Sequence, residues 1–304
     1  MAEGHSVVLV TPNRFRSIPC PSYPEIRLAL ASPAAVARMI GMFHPHAIHI
    51  ATEGPLGLAA RWCCRRNGVP FTTSYHTHFP EYVAVRWRMP RDWTYRFFRW
   101  FHGPSDAVMV STPSLERLLQ ERGFQHLRRW SRGVDTALFR PREKNFYPYA
   151  RPISLYVGRI AVEKSIEDFL RLEMPGTKVL VGDGPLLPEL RRRYPQAVFT
   201  GARLGEDLAH HYAAADVFVF PSRTDTYGLV LLEALACGVP VAAYPVPGPL
   251  DVIDGSGAGA LDDDLGAAVH RALAIPPEVC RQYALAFSWQ HSAAQFLANL
   301  RHIA

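Results

Sequence analysis

Two acids eight residues apart lie in the most chemically loaded stretch of the chain. Residues 215–238 read ADVFVFPSRTDTYGLVLLEALACG. The β-branched and aromatic run at 216–220 fits a buried strand, and 221–226 is polar and turn-forming. From Gly228 the chain is apolar on every side until Gly238 and Pro240 stop it. Glu233 falls inside that apolar helix, where a carboxylate is costly unless something pairs with it. Asp225 falls in the loop feeding the helix N-terminus, where unpaired N–H groups and a positive dipole end suit a phosphate. One acid beside the phosphates and one about two turns along would grip a nucleotide-sugar at two points. A plainer reading pairs Glu233 with an arginine inside the core and leaves Asp225 as a helix cap.

The second constellation lies upstream. Residues 153–157 read as a strand, Gly158 and Arg159 follow at once, and Lys164 opens a helix at 165–172. A glycine at a strand exit, then Arg, then Lys at a helix start suits a diphosphate through charge-assisted contacts. The pattern is neither a P-loop nor a GxGxxG fingerprint, and on its own it more often marks a solvated face. Glycine recurs at the next strand exits, in Gly182-Asp183-Gly184-Pro185 and at Gly201. In the first half, a strand at 70–75 runs out into His76-Thr77-His78. Ligands of open parallel sheets bind outside the carboxyl ends of strands, so both histidines are well placed. Such a pair also suits a metal, but zinc needs three or four protein ligands and no third stands nearby.

These residues need elements to hold them, and the chain supplies two βα series. The first has strands at 7–10, 47–50, 70–75 and 106–110 and helices at 34–43, 57–66 and 113–123, with a proline-rich irregular segment at 14–24. Residues 147–152 read as a linker. The second series has strands at 153–157, 178–181, 198–201, 216–220 and 239–244, separated or followed by helices at 165–172, 204–214, 265–274, 278–287 and 290–300. This alternation implies parallel sheets with crossover helices. A length of 304 residues suits two domains, and 48% hydrophobic with 20% charged residues is a globular composition. The net charge of +6 suits anionic substrates, anionic lipid or nucleic acid. Five cysteines without CxxC spacing argue against a metal or disulfide framework and for a reducing cytosol. No run of 18 apolar residues exists, and the N-terminus has no signal-peptide pattern.

One stretch stands apart from this framework. Residues 85–101 read VRWRMPRDWTYRFFRWF, with five arginines interleaved among seven aromatic residues. An Arg-rich helix with an aromatic face lies well in a lipid headgroup layer. The same composition also fits a core helix whose Arg stems snorkel outward, or a stacking surface for single-stranded nucleic acid, the weakest of the three.

Together these motifs resemble a known family. VGRIAVEKS, VGDGP and above all FPSRTDTYGLVLLEALACGVPVAAYPVPGP are similar to the retaining glycosyltransferases of family 4, within them the GDP-mannose-dependent α-mannosyltransferases. SYHTHFPEYV, WSRGVDTALFRP and FSWQHSAAQFLANL resemble the same group. The resemblance implies an α/β chain with the GT-B fold, two Rossmann-like domains whose parallel sheets face each other across a cleft. An acceptor-side domain would occupy 1–148, a nucleotide-sugar-binding domain 149–286, and a helix at 287–304 would cross back to the first. By motif, Gly158, Arg159 and Lys164 would hold the donor diphosphate and Glu233 the ribose hydroxyls. Asp225, standing where the family usually has Glu, would contact the donor sugar, with Thr226, Tyr227, Gly228 and Leu229 beside sugar and phosphate and Gly182 in the donor site. His76 would lie near the reacting sugar, while no role carries over to His78. Gly201, Arg203 and Leu204 are the candidates for base contacts.

The implied reaction is transfer of a hexose, mannose first, from GDP-mannose or another nucleotide-sugar to a lipid or glycolipid acceptor. It would proceed with retention, without a metal or other cofactor, on the cytoplasmic side and peripheral to the inner membrane face. A soluble acceptor, or nucleotide-sugar binding without catalysis, are the alternatives. Related proteins begin with an additional strand–loop–helix unit, so the first unit of the N-terminal domain is expected to be absent here.

Overall fold

The computed structural model describes residues 4–20, 23–75, 91–223 and 227–303. The chain divides into two compact units, Met1–Trp130 with Gln295–Ala304, and Ser131–Ala294.

The first unit is built on a four-stranded parallel sheet. An antiparallel pair, β1 (Ser17–Cys20) and β2 (Tyr23–Ala29), precedes α1 (Pro33–Phe43), β3 (His49–Ile50), α2 (Pro55–Arg66), β4 (Thr72–Tyr75), α3 (Arg91–His102), β5 (Ala107–Val110), α4 (Pro113–Glu121) and β6 (Leu127–Arg129). The sheet order is β3-β4-β5-β6. Local chemistry explains the helix starts. Ser32 and Thr112 each accept a hydrogen bond from the backbone three residues on, at 3.2 Å, and a proline fills the first turn of α1, α2 and α4. Tyr75, Tyr95, Phe98, Val108, Leu115, Leu119 and Phe124 form the main core.

Two expectations fail in this unit. Residues 7–10 are not a strand: Val7 and Leu9 are 63% and 68% exposed, and no strand among the described residues pairs with them. Apolar runs make strands only where a neighbour supplies the ladder. Conversely, the segment read as irregular carries β1 and the start of β2. Pro19 is tolerated because β1 pairs with β2 alone, and the register shifts between Pro19 and Cys20.

The second unit is a six-stranded parallel sheet with helices on both faces. In chain order it contains β7 (Ile153–Val157), α5 (Ile166–Arg171), β8 (Thr177–Val181), α6 (Leu187–Arg193), β9 (Val198–Gly201), α7 (Gly205–Ala213), β10 (Val217–Phe220), α8 (Leu229–Ala236), β11 (Val241–Ala243), α9 (Pro247–Ile253), β12 (Gly259–Leu261), α10 (Leu265–Ala272) and α11 (Pro277–Leu285). The order β12-β11-β10-β7-β8-β9 puts β7 and β10 side by side, so the direction of winding reverses between them. Strand alternation feeds two cores. Leu155, Val179, Phe218 and Val241 pack with α7 and α8 on one face, whereas Tyr156, Leu180, Val219 and Ala242 pack with α5 and α10 on the other. Strands buried on both faces read as continuous apolar runs, which is why the sequence located them well.

The segment 131–150, read as the end of the first domain and a linker, packs within this second unit. Val134 bridges to Ser288, and the Arg281 guanidinium donates to the carbonyls of Thr136, Phe139 and Ala236 at 2.7–2.9 Å. The division therefore falls at 130/131. A last helix, α12 (Trp289–Asn299), runs through the second division point.

Candidate functional site

The carboxyl ends of the second sheet carry three glycine-cornered loops that are stitched together by their backbones. Gly158 N–H donates to Val181 O at 3.0 Å, Ile160 N–H to Asp183 O at 2.8 Å, Leu186 N–H to Ile160 O at 3.1 Å, and Gly182 N–H to Gly201 O at 2.9 Å. Glycine is required by contact here. A Cβ on Gly182 would lie 1.8 Å from Gly158 O, and one on Gly184 2.4 Å from Ile160 O. Both residues also have φ in the positive region, at 148° and 157°. The glycines at the exits of β7 and β8 thus let two loops touch backbone to backbone. The side chain of Tyr156 braces the first of them, donating from its hydroxyl to Arg159 O at 2.9 Å.

This platform presents cations beside the point where the winding reverses, the usual ligand crevice of an open α/β sheet. Arg159 is exposed, and its side chain has no hydrogen-bond or ion-pair partner among the described residues. Lys164 is half-buried. It does not open the helix, as the sequence suggested. Residues Val162–Lys164 form a 3-10 turn, Ser165 adopts a left-handed φ of 49°, and α5 begins at Ile166. Arg203 is tied down locally, donating to Asp207 Oδ2 at 3.2 Å and to Thr200 O at 2.9 Å, beside the half-exposed Gly201.

On the other side of the reversal, α8 begins immediately after Gly228, whose φ is 73°. A helix start leaves backbone N–H groups free of intrahelical partners. Leu229 at this end is 43% exposed, and Tyr227 is buried. Glu233 lies one turn further on. It is half-buried and makes no ion pair among the described residues, so no described arginine fills the internal role of the plainer reading. Its partner is the hydroxyl of the fully buried Tyr212, which donates to Oε2 at 2.8 Å. Burial pushes the Glu233 carboxyl above its ordinary range, against the opposing effect of that hydrogen bond. Its other oxygen has no partner among the described residues. A single donor from one side leaves the carboxylate able to accept a second.

His76, Asp225 and Thr226 lie outside the described residues, as does His78. Among the described residues, no three His, Cys, Asp or Glu side chains are grouped to hold a metal ion.

Sequence reasoning missed a second polar cluster on the same edge. Arg223 stacks its guanidinium 3.5 Å from the ring centre of Tyr244, just past β11, and the Tyr244 hydroxyl donates to Asp168 Oδ2 on α5 at 3.0 Å. This chain of contacts links the exits of β10 and β11 to the helix that follows the Arg159 loop. Arg223 sits inside the polar loop that the sequence singled out, which was the available signal. Tyr212 gave no signal, because a lone tyrosine followed by alanines at the end of α7 reads as core.

The first unit carries its own polar network at the carboxyl end of β3. The buried His102 bridges Thr73 Oγ1 at 2.9 Å and Glu53 Oε1 at 3.1 Å, and Thr73 contacts Ser105 at 3.2 Å.

The chain as a whole is similar to known proteins. Residues 1–138 match the family described as Glycosyltransferase Family 4, and residues 151–274 that described as Glycosyl transferases group 1. The chain is 34% identical over 257 residues to the sulfoquinovosyl transferase SQD2 of Arabidopsis thaliana, covering 78% of this chain and 50% of that protein. It is 33% identical over 277 residues to the GDP-mannose-dependent alpha-mannosyltransferase of Mycobacterium tuberculosis, covering 82% and 73%. It is 27% identical over 321 residues to the alpha-monoglucosyldiacylglycerol synthase of Streptococcus pneumoniae, covering 91% and 73%. The chain thus spans half the length of the first relative and about three-quarters of the other two. Among solved structures, sucrose-phosphate synthase from Thermosynechococcus elongatus superposes with a TM-score of 0.71 at 24% identity, over 88% of this chain and 75% of that one. Anabaena HepE in complex with UDP does so with 0.69 at 15%, over 92% and 83%. At these identities the likeness is one of fold.

Proposed function

This chain belongs to glycosyltransferase family 4 and has the GT-B fold, and from that premise we propose that it transfers a hexose, mannose first, from a nucleoside diphosphate sugar to a lipid or glycolipid acceptor. The observation that carries this reading is the joined platform at the sheet's carboxyl ends. Arg159, with no side-chain partner among the described residues, and Lys164 stand on one side of the β7/β10 reversal, and the start of α8 with Glu233 stands on the other. Breaking a glycosyl–phosphate bond builds positive charge on the sugar and negative charge on the departing diphosphate. Arg159, Lys164 and the α8 N-terminus would stabilise that negative charge from fixed positions, with no reorganisation at the moment of reaction. Glu233, held by Tyr212 and with its other oxygen unpartnered among the described residues, would accept hydrogen bonds from the ribose.

Asp225, Thr226, Tyr227, Gly228 and Leu229 would surround the donor sugar and phosphates, with Gly158 and Gly182 allowing close approach and Gly201 and Arg203 beside the base. His76 would act near the reacting sugar. None of these roles needs a metal or other cofactor. Attack on the same face, with the departing phosphate taking the acceptor proton, would give retention. The lipid acceptor is supported by the basic, aromatic composition of 85–101 and by one relative whose name specifies a diacylglycerol product.

The test offers the purified chain radiolabelled GDP-mannose or UDP-glucose, with diacylglycerol in vesicles or with soluble myo-inositol. Transfer of label into the lipid phase, with an α-anomeric product by its one-bond C1–H1 coupling, is expected. Label entering only the soluble acceptor would overturn the lipid reading. No transfer from either donor by a chain that binds nucleotide would overturn catalysis.

A further inference from the structure

Helix α3 (Arg91–His102) has two aromatic faces where a helix in a globular unit needs one. Tyr95, Phe98 and Phe101 are 2%, 4% and 0% exposed and belong to the interior. Trp93, Phe97 and Trp100, at spacings of four and three, form a second row that is 71%, 40% and 54% exposed. Two of its three rings are held by contacts. Trp100 is pinned by the buried Arg61 of α2, whose guanidinium lies 3.9 Å from its ring centre and donates to the carbonyls of Trp100 and Phe101 at 2.8 and 2.9 Å. Phe97 packs against Trp100 with ring centres 5.8 Å apart.

The described charges on α2 and α3 are mostly positive. Arg96 and Arg99 are exposed on α3, and Arg65 and Arg66 are exposed on the last turn of α2 beside the 47% exposed Trp62, over which Arg66 lies at 5.2 Å. The one acid of the two helices, Asp92, is paired with Arg122 at 3.1 Å. Among the described residues no helix is long and apolar enough to cross a membrane.

We infer that the Trp93–Phe97–Trp100 ridge of α3, with Arg96 and Arg99, is a docking face for an anionic lipid bilayer. The aromatic row enters the headgroup layer while the arginines pair with lipid phosphates. Large aromatics interleaved with arginine match that layer, which is apolar on its inner side and anionic at its surface. The inference deepens the lipid-acceptor reading above by naming how the chain reaches its acceptor. It rests on geometry that the donor site does not share.

The test is sedimentation of the full chain with vesicles of phosphatidylcholine alone or mixed with phosphatidylglycerol, at low and high salt. Co-sedimentation with the anionic vesicles, weakened by salt, is expected. The variant W93S/F97S/W100S should lower partitioning by roughly tenfold or more. A charge-reversal variant, R96E/R99E, leaves the apolar residues in place and should lose the preference for anionic over neutral lipid. Nucleotide titration of each variant, at the site in the other unit, checks that the chain is folded. Equal sedimentation of wild type and both variants would overturn the inference, as would binding of neither vesicle, dimerisation through the ridge, or capture of single-stranded RNA in place of lipid. Vesicle binding needs no turnover, so its failure leaves the transfer reaction standing, and failure of transfer leaves it standing.

Discussion

The two parallel sheets end in different ways. In the second unit β7, β8 and β9 leave through glycines. Gly158 and Gly182 let the loops after β7 and β8 touch backbone to backbone, and Gly201 O accepts from Gly182 N–H. Arg159 above them has no side-chain partner among the described residues, whereas Arg203 is held by Asp207 and Thr200. In the first unit the described exits of the sheet end in side chains. Tyr75 closes β4 against Phe98 and Phe124, Thr112 follows β5 as the cap of α4, and past β3 Glu53 is held by His102. A site made of backbone has strict steric requirements and tolerates few residues. A site made of side-chain contacts can be rebuilt with many. The difference suits a donor common to a family and an acceptor that varies.

The largest effect should come from breaking the backbone platform. Gly182→Ala places a methyl group against Gly158 O and is expected to cost about 3–4 kcal/mol in denaturant unfolding. An unchanged midpoint would show that the loops do not need their close contact. Arg159→Ala is the opposite case, an exposed side chain with no partner among the described residues. It should leave the unfolding midpoint within about 0.5 kcal/mol while reducing kcat/KM on the order of 10²–10³-fold. Turnover at the wild-type rate would remove Arg159 from the diphosphate site.

Arg61→Leu carries the comparison into the first unit. It strips two carbonyls at the end of α3 of a buried donor and should cost about 2 kcal/mol. Nucleotide affinity should not move, and a drop would mean that the two sheets are not independent in this respect.

The smallest effect sharpens the account of Glu233. Because burial raises this carboxyl, the folded chain favours its neutral form. The stability it contributes is complete below the unfolded pKa and lost as pH rises through the raised folded one. Glu233→Gln should therefore unfold at a slightly higher temperature than wild type at pH 8, with the gap closing on acidification, while nucleotide affinity falls. A gap that widens at low pH would reverse the assignment.

The sequence made the second unit more legible than the first for the same physical reason. Doubly buried strands such as Ile153–Val157 and Val217–Phe220 cannot be other than apolar, and exit glycines are forced by contacts as close as that of Gly182. Strand β12 and helix α9 escaped notice because one is three residues long and the other starts inside a proline cluster. Residues 7–10 were misread because an apolar run does not reveal whether a neighbouring strand exists. Glu233 was legible as an anomaly, but its partner was not. Only the fold brings Tyr212 of α7 to α8. The second aromatic row of α3 was visible in composition, yet only burial separates Trp93, Phe97 and Trp100 from Tyr95, Phe98 and Phe101.

The most direct test of the central claim is calorimetric titration of the 304-residue chain with GDP and with UDP, repeated on Arg159→Ala. The account predicts saturable binding of one nucleotide at one site, identifying the base, with affinity sharply reduced in the variant. Failure of the folded chain to bind either nucleotide, or equal binding by the variant, would contradict a donor site at the carboxyl ends of the second sheet.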